Sequence, residues 1–200
     1  MLDLGWMYEH GHGGPRDHGN ARTWYEKAAN LGNASAMYNL GFLFAEGGGV
    51  ARNYSEARLW YEKAANLGDA GAMNELGRLY YHARGVPRSY SEARYWYEKS
   101  AAAGDAAAMN NIGVLYHNGE GVPRDLNAAR QWYEKARAAG NVKAAENLQS
   151  LDRRDTAGRR QDRRSGGGGG GGYYSAPRSG YGLSNRGRPC FLPSEQGIGC

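Results

Sequence analysis

The sequence predicts an all-α fold, a superhelical solenoid of antiparallel helix pairs followed by a tail that does not fold with it. Three observations carry this. The phrase Trp-Tyr-Glu-Lys occurs at Trp24–Lys27, Trp60–Lys63, Trp96–Lys99 and Trp132–Lys135, each copy 36 residues after the last with no insertion between them. A fixed period of that length marks stacked repeats, each unit burying its apolar face only against its neighbours. Within each period the apolar residues recur at helical spacing in two stretches separated by Gly and Pro. Beyond about Asp152 the pattern dissolves into Arg, Gly and Ser.

The third unit serves as the model for the rest. Gly68-Asp69 ends one helix and starts the next: Gly accepts the left-handed stop position, and Asp caps the amides that follow. The equivalent junctions are Gly32-Asn33, Gly104-Asp105 and Gly140-Asn141. The first helix of the pair, helix A, is expected from about Ala70 to His82, with Met73, Leu76, Gly77 and Tyr80 as its buried stripe. Met37, Leu40, Gly41 and Phe44, then Met109, Ile112, Gly113 and Tyr116, repeat that stripe. The loop Gly85-Val86-Pro87-Arg88 breaks the helix. Helix B then starts at Ser89, three residues before Glu92, as in a capping box, and ends near Ala103. Asp17, Asn53 and Asp125 take the same cap position, and nine helices are expected in all.

The glycines inside helix A, at 5, 41, 77 and 113, each cost about 1 kcal/mol against Ala. Close approach of helix B, with its Trp-Tyr pair lying on helix A, accounts for them. At the fifth recurrence Gln149 and Asp152 replace the glycine and the aromatic, while Leu148 and Leu151 stay apolar. One face packed and the other wet is the mark of a terminal capping helix. The domain division is therefore 1–152 for the array and 153–200 for a disordered Arg/Gly-rich tail.

Charge divides the chain at the same place. Residues 1–151 carry 16 basic and 16 acidic residues, so the net charge of +5 lies in the tail. The array is thus not a basic nucleic-acid surface; any such contact would run through the tail arginines and Tyr173-Tyr174, which can neutralise phosphate and stack on bases. Cys190 and Cys200 both lie in the tail, so no disulfide framework supports the fold. No apolar run is long enough for a membrane span, and the start has no signal-peptide pattern, which makes a cytoplasmic monomer the default expectation.

No catalytic constellation repeats or stands apart from the repeat. There is no Ser/His/Asp or Cys/His set and no phosphate-cradling Gly motif, and the five histidines lack companions at zinc spacing. No enzyme activity, cofactor or metal is expected. The sequons at Asn33 and Asn53 are explained by helix capping.

The units Ala72-Met73-x-x-Leu76-Gly77-x-Leu79-Tyr80, Gly119-x-Gly121-Val122-Pro123-Arg124-Asp125 and Ala57-Arg58-x-Trp60-Tyr61-Glu62-Lys63-Ala64-x-x-x-Gly68 resemble the Sel1-like repeat, a relative of the tetratricopeptide repeat. The resemblance covers about residues 1–151, with local departures at Gly14-Pro15, Ala51 and Ala83. It implies a right-handed superhelix with helix A on the concave side. It also allows a regulatory fragment of a larger enzyme with its catalytic domain upstream.

Certain helix-A positions vary while their neighbours stay fixed, and they fall on one face away from the buried stripe. Trp6, Tyr38, Phe42, Asn74, Arg78, Tyr81, Asn110, Val114 and His117 are the candidate partner-binding residues on that face. The leading expectation is a non-catalytic adaptor that takes a peptide or protein segment there.

Overall fold

Nine α-helices follow one another, with no strand among the described residues. The computed structural model describes the backbone of residues 1–165 and the side chains of residues 1–153. The helices are α1 (Leu2–His10), α2 (His18–Asn30), α3 (Ala34–Glu46), α4 (Tyr54–Asn66), α5 (Ala70–His82), α6 (Tyr90–Ala102), α7 (Ala106–Asn118), α8 (Leu126–Ala138) and α9 (Val142–Ser165). Odd-numbered helices are the A helices and even-numbered ones the B helices. Each packs chiefly on the helix before and the helix after it, which is the solenoid arrangement.

Local chemistry sets the ends of the helices. Asn33, Asp69, Asp105 and Asn141 each accept a hydrogen bond from the backbone amide three residues on, at 2.7–3.0 Å, opening α3, α5, α7 and α9. Asp17, Asn53, Ser89 and Asp125 do the same for α2, α4, α6 and α8. The turn from A to B is pinned as well. The amides of those same four caps donate to the carbonyls of Tyr8, Phe44, Tyr80 and Tyr116 at 2.8–3.1 Å. Three of the A helices stop on a left-handed glycine (11, 47 and 119), and α5 stops on Ala83, at φ 57°.

The core is a row of small clusters. In each, alanines and the tyrosine of one B helix meet a pair of aliphatic residues of the next A helix, as with Ala57, Tyr61 and Ala64 against Leu76 and Leu79, or Ala93 and Tyr97 against Ile112 and Leu115. Burial of each such leucine stabilises by about 1.5–3 kcal/mol. Ser100 stands where the other units have alanine; it is buried, and its hydroxyl donates to the Ala70 carbonyl at 2.7 Å. The last helix closes the row with Ala144, Leu148 and Leu151 on α8, while Gln149 and Asp152 face water. Its backbone continues as helix to Ser165, 13 residues past the boundary expected at 152. The expected disorder of the remaining tail lies outside the described residues. No helix among the described residues is long and apolar enough to cross a membrane.

The intrahelical glycines do admit a ring from helix B, though a narrower one than the sequence suggests. A Cβ at Gly5, Gly41, Gly77 or Gly113 would fall 2.5–2.6 Å from ring carbons of Tyr25, Tyr61, Tyr97 or Tyr133. Those tyrosines are at most 2% exposed. The neighbouring tryptophans are not part of that contact. Trp24, Trp60, Trp96 and Trp132 are half-buried, and the ammonium of the lysine three residues on lies over each ring, at 3.9–5.2 Å from its centroid.

Candidate functional site

In the first and last of the four units, the hydroxyl of the tyrosine laid across the glycine meets the helix-A residue four places after that glycine. Across the units that position is Glu9, Ala45, Tyr81 and His117, and it differs each time. Glu9 accepts the Tyr25 hydroxyl at 2.5 Å. His117 Nδ1 lies 3.3 Å from the Tyr133 hydroxyl. Ala45 offers nothing, and the buried Tyr61 hydroxyl has no partner among the described residues. Tyr81 turns its own hydroxyl to Glu120 at 2.7 Å and packs edge-on against Tyr90. Burial is the first cause that pushes all of these phenols up; Tyr81, with Glu120 adding to it, and Tyr133 both reach about 12.

Two of the nine candidate residues are not surface residues. Asn74 and Asn110 are 7% and 6% exposed. Each accepts from an asparagine of the next A helix, Asn111 to Asn74 at 2.9 Å and Asn147 to Asn110 at 2.8 Å. A polar residue at a varying position looks solvated in sequence; here it is a bolt between units, buried because its amide is satisfied. Tyr38, at the same position one unit earlier, is half-buried against the Tyr61 ring and close to Gly71 of α5.

The remaining candidates divide into a cluster and outliers. Arg78, Tyr81 and Val114 line one recess of about 90 Å³ together with His82, Tyr97 and Asn111. Glu75 holds the Arg78 guanidinium through two contacts at 2.8 and 3.1 Å, which fixes its orientation. Burial, then Arg84, pulls His82 below the ordinary histidine value, so its ring is neutral at pH 7. His117 adjoins Tyr133 instead, and Phe42 stands out 42% exposed. Trp6, 45% exposed, stacks with both His10 and His12, each with its ring centroid 4.6 Å away. The recess therefore offers one cation, phenol and amide groups, and a short apolar wall. It presents hydrogen-bonding and stacking groups with no nucleophile–base pair among them. No group of His, Cys, Asp or Glu among the described residues could hold a metal ion. Sequence reasoning missed Tyr97, Asn111 and His82 as recess residues. Periodicity could have found Tyr97, whose hydroxyl must emerge beyond a glycine of helix A.

Taken together, these features define a helical repeat protein whose fixed positions build a scaffold and whose varied positions lie along its A helices. The chain belongs to the Sel1 repeat family: the family model, described as Sel1 repeat, matches residues 1–33, 34–69, 70–105 and 106–141. Sel1 repeat proteins generally mediate protein–protein interactions and are typically non-enzymatic scaffolds. Among proteins with curated descriptions none matches the chain. Of solved structures, a Sel1 repeat protein from Oxalobacter formigenes is 37% identical over 74% of this chain and 60% of its own, with a TM-score of 0.70. A protective antigen present in uropathogenic Escherichia coli strains, displaying an SLR fold, is 35% identical over 75% of this chain and 32% of its own, also at 0.70. Cysteine rich protein B of Helicobacter pylori is 21% identical, with 66% of this chain and all of the other covered and a TM-score of 0.51; it shares the fold. The chain thus spans less than two thirds of the length of the first and about a third of the second.

Proposed function

We propose that this chain is a non-catalytic adaptor that binds a peptide or protein segment along the face formed by its A helices. The observation that carries the reading is the contrast between fixed and varied positions. The glycine–tyrosine contact repeats without change in four units, while the residues one and four places after the glycine differ in every one. Trp6, Phe42, Arg78, Tyr81, Val114 and His117 are the selectivity residues in this reading. Tyr38 supports them, and Asn74 and Asn110 hold the units in register. Aromatic and arginine side chains are the usual anchors of protein interfaces.

The test begins with a peptide selected from a random library on the full chain and measures its affinity by fluorescence anisotropy. Phe42→Ala combined with Tyr81→Ala should weaken binding tenfold or more, each anchor contributing about 1–2 kcal/mol. The double variant should melt below the parent, because Tyr81 gives up its bond to Glu120 and its packing on Tyr90, so affinity is measured at a temperature where both proteins are fully folded. Deleting residues 153–200 should leave affinity unchanged. Loss of binding on tail deletion, with the alanine pair silent, would transfer the function to the tail.

A further inference from the structure

The four tyrosines that cross a helix-A glycine end differently. Tyr25 donates to Glu9 and the Tyr133 hydroxyl meets His117, while the Tyr61 hydroxyl is sealed in with no partner among the described residues. Tyr97 is 2% exposed, and among the described residues no hydrogen bond holds its hydroxyl. Its Cδ1 and Cε1 lie against Gly77, so the hydroxyl is the end that reaches the recess formed over it by α5 and α7. Burial, the first cause, pushes the phenol above its ordinary value, against the pull of Arg78. The hydroxyl therefore keeps its proton at pH 7 and stands as an unused donor.

Two further donors of the recess are only partly engaged. Glu75 takes both of its contacts from Nη1 of Arg78, which leaves Nε and Nη2 without a hydrogen bond among the described residues. Asn111 gives one amide hydrogen to Asn74 and retains a second. The carboxylates nearby are already held, Glu75 by Arg78 and Glu120 by Tyr81 and Asn118. Arg84, Arg78 and Arg88 all act on the His82 ring in the wall, with Glu120 opposing them. Three arginines against Glu75 and Glu120 leave one positive charge over, which suits a monoanion. The recess of about 90 Å³ has room for roughly three water molecules, and so for one carboxylate on a short stem.

We propose that this recess is a carboxylate subsite of the helix-A face, taking an aspartate or glutamate side chain of the bound segment. Its source in a bound segment rests on the adaptor reading above; Tyr97, Arg78 and Asn111 supply the chemistry. Guanidinium hydrogens beside a buried phenol match the two oxygens of a carboxylate, and hydrogen bonds to a charged acceptor are the strong ones. The recess lies mid-array, between α5 and α7, with α1 and α3 on one side and α9 on the other. A segment running along that face passes over the recess instead of ending there. The carboxylate therefore belongs to a side chain and not to a chain end.

The probe is N-acetyl-aspartyl amide, titrated into the nitrogen-15-labelled full chain and followed by NMR. It should shift the Arg78 Nε–H and Asn111 side-chain amide signals along one saturable curve. The asparaginyl counterpart should bind about tenfold more weakly, a charged acceptor having been replaced by a neutral one. Tyr97→Phe should weaken the aspartyl probe about tenfold while melting no lower than the parent, because the hydroxyl it removes had no partner. Arg78→Lys, which keeps the charge and loses the fork, should also weaken it. The source of the carboxylate is read from the library peptide of the adaptor test. That peptide should carry an aspartate or glutamate whose change to the amide costs about tenfold, whereas amidating its C-terminus should cost nothing. Absence of a saturable shift, equal binding of the two probes, or indifference to Tyr97→Phe would overturn the subsite and leave the adaptor reading standing. Sensitivity to end amidation without sensitivity to the side-chain change would overturn the side-chain source. Saturable binding of the aspartyl probe with no library peptide captured would instead remove the adaptor reading and keep the carboxylate site.

Discussion

Gly77 and Tyr97 stand so close that a Cβ on the glycine would lie 2.5 Å from two ring carbons and 3.1 Å from the carbonyl oxygen of Ala93. Tyr97 is buried, and the Ala93 oxygen belongs to helix backbone, so neither can yield cheaply. Gly77→Ala gains about 1 kcal/mol in helix propensity. Overpacking costs about 1–3 kcal/mol and wins. The expected result is a net loss of up to about 2 kcal/mol for Gly77→Ala and about 2–4 kcal/mol for Gly77→Leu. Urea denaturation would measure both; parental stability in Gly77→Leu would remove the close-contact explanation.

The tyrosine hydroxyls give an internal comparison. Tyr25 donates to Glu9, whereas Tyr61 is buried with no partner among the described residues. Tyr25→Phe should cost about 1–2 kcal/mol, because a hydrogen bond to a carboxylate is lost. Tyr61→Phe removes an unsatisfied group and should be neutral or stabilising. Equal losses in the two variants would mean the hydroxyls contribute nothing distinct.

Alkaline pH should unfold the array through the same rings. A free phenol loses its proton near pH 10, whereas Tyr81 and Tyr133 are held up to about 12 in the fold. With the folded value raised, the stability they contribute is whole below about pH 10 and is lost as pH rises through 12. Melting temperature should therefore fall between those values, less steeply in Tyr133→Phe. Phenolate absorbance of the buried tyrosines should rise only together with loss of helical circular dichroism.

Ala83 ends α5 at φ 57°, where its counterparts in α1, α3 and α7 are glycines. The left-handed conformation costs an alanine about 1–2 kcal/mol. Glycine there adds about 0.4–1 kcal/mol of unfolded-chain entropy to lose. The difference favours Ala83→Gly by about 0.5–1 kcal/mol, visible as a higher melting temperature. A lower one would show that the left-handed strain is absorbed elsewhere.

What could be read from sequence followed from how local its cause is. Caps such as Asp69 and Ser89 act on amides two or three residues away, so the helix ends stood in the letters. The glycine contact was legible because an unexplained helix glycine demands a bulky neighbour. Trp and Tyr share one period, however, and only packing tells that Tyr61 crosses Gly41 while Trp60 lies under Lys63. Asn74 and Asn110 looked solvated because their partners stand 37 residues on, in another unit. Their repetition as Asn74/Asn111 and Asn110/Asn147 was the available sign.

Those paired amides also impose an order on the units. The passages from α5 to α7 and from α7 to α9 are each closed by asparagine on asparagine. From α3 to α5 the same places hold Tyr38 and Glu75, with Glu75 committed to Arg78. Four units of one length and one contour are therefore not interchangeable. Moving the unit 34–69 behind 70–105 would set Tyr38 against Asn111, and that half-buried amide would lose the amide acceptor it has in Asn74. The seams read like keyed tiles, and a shuffled array would keep its helices while losing its register.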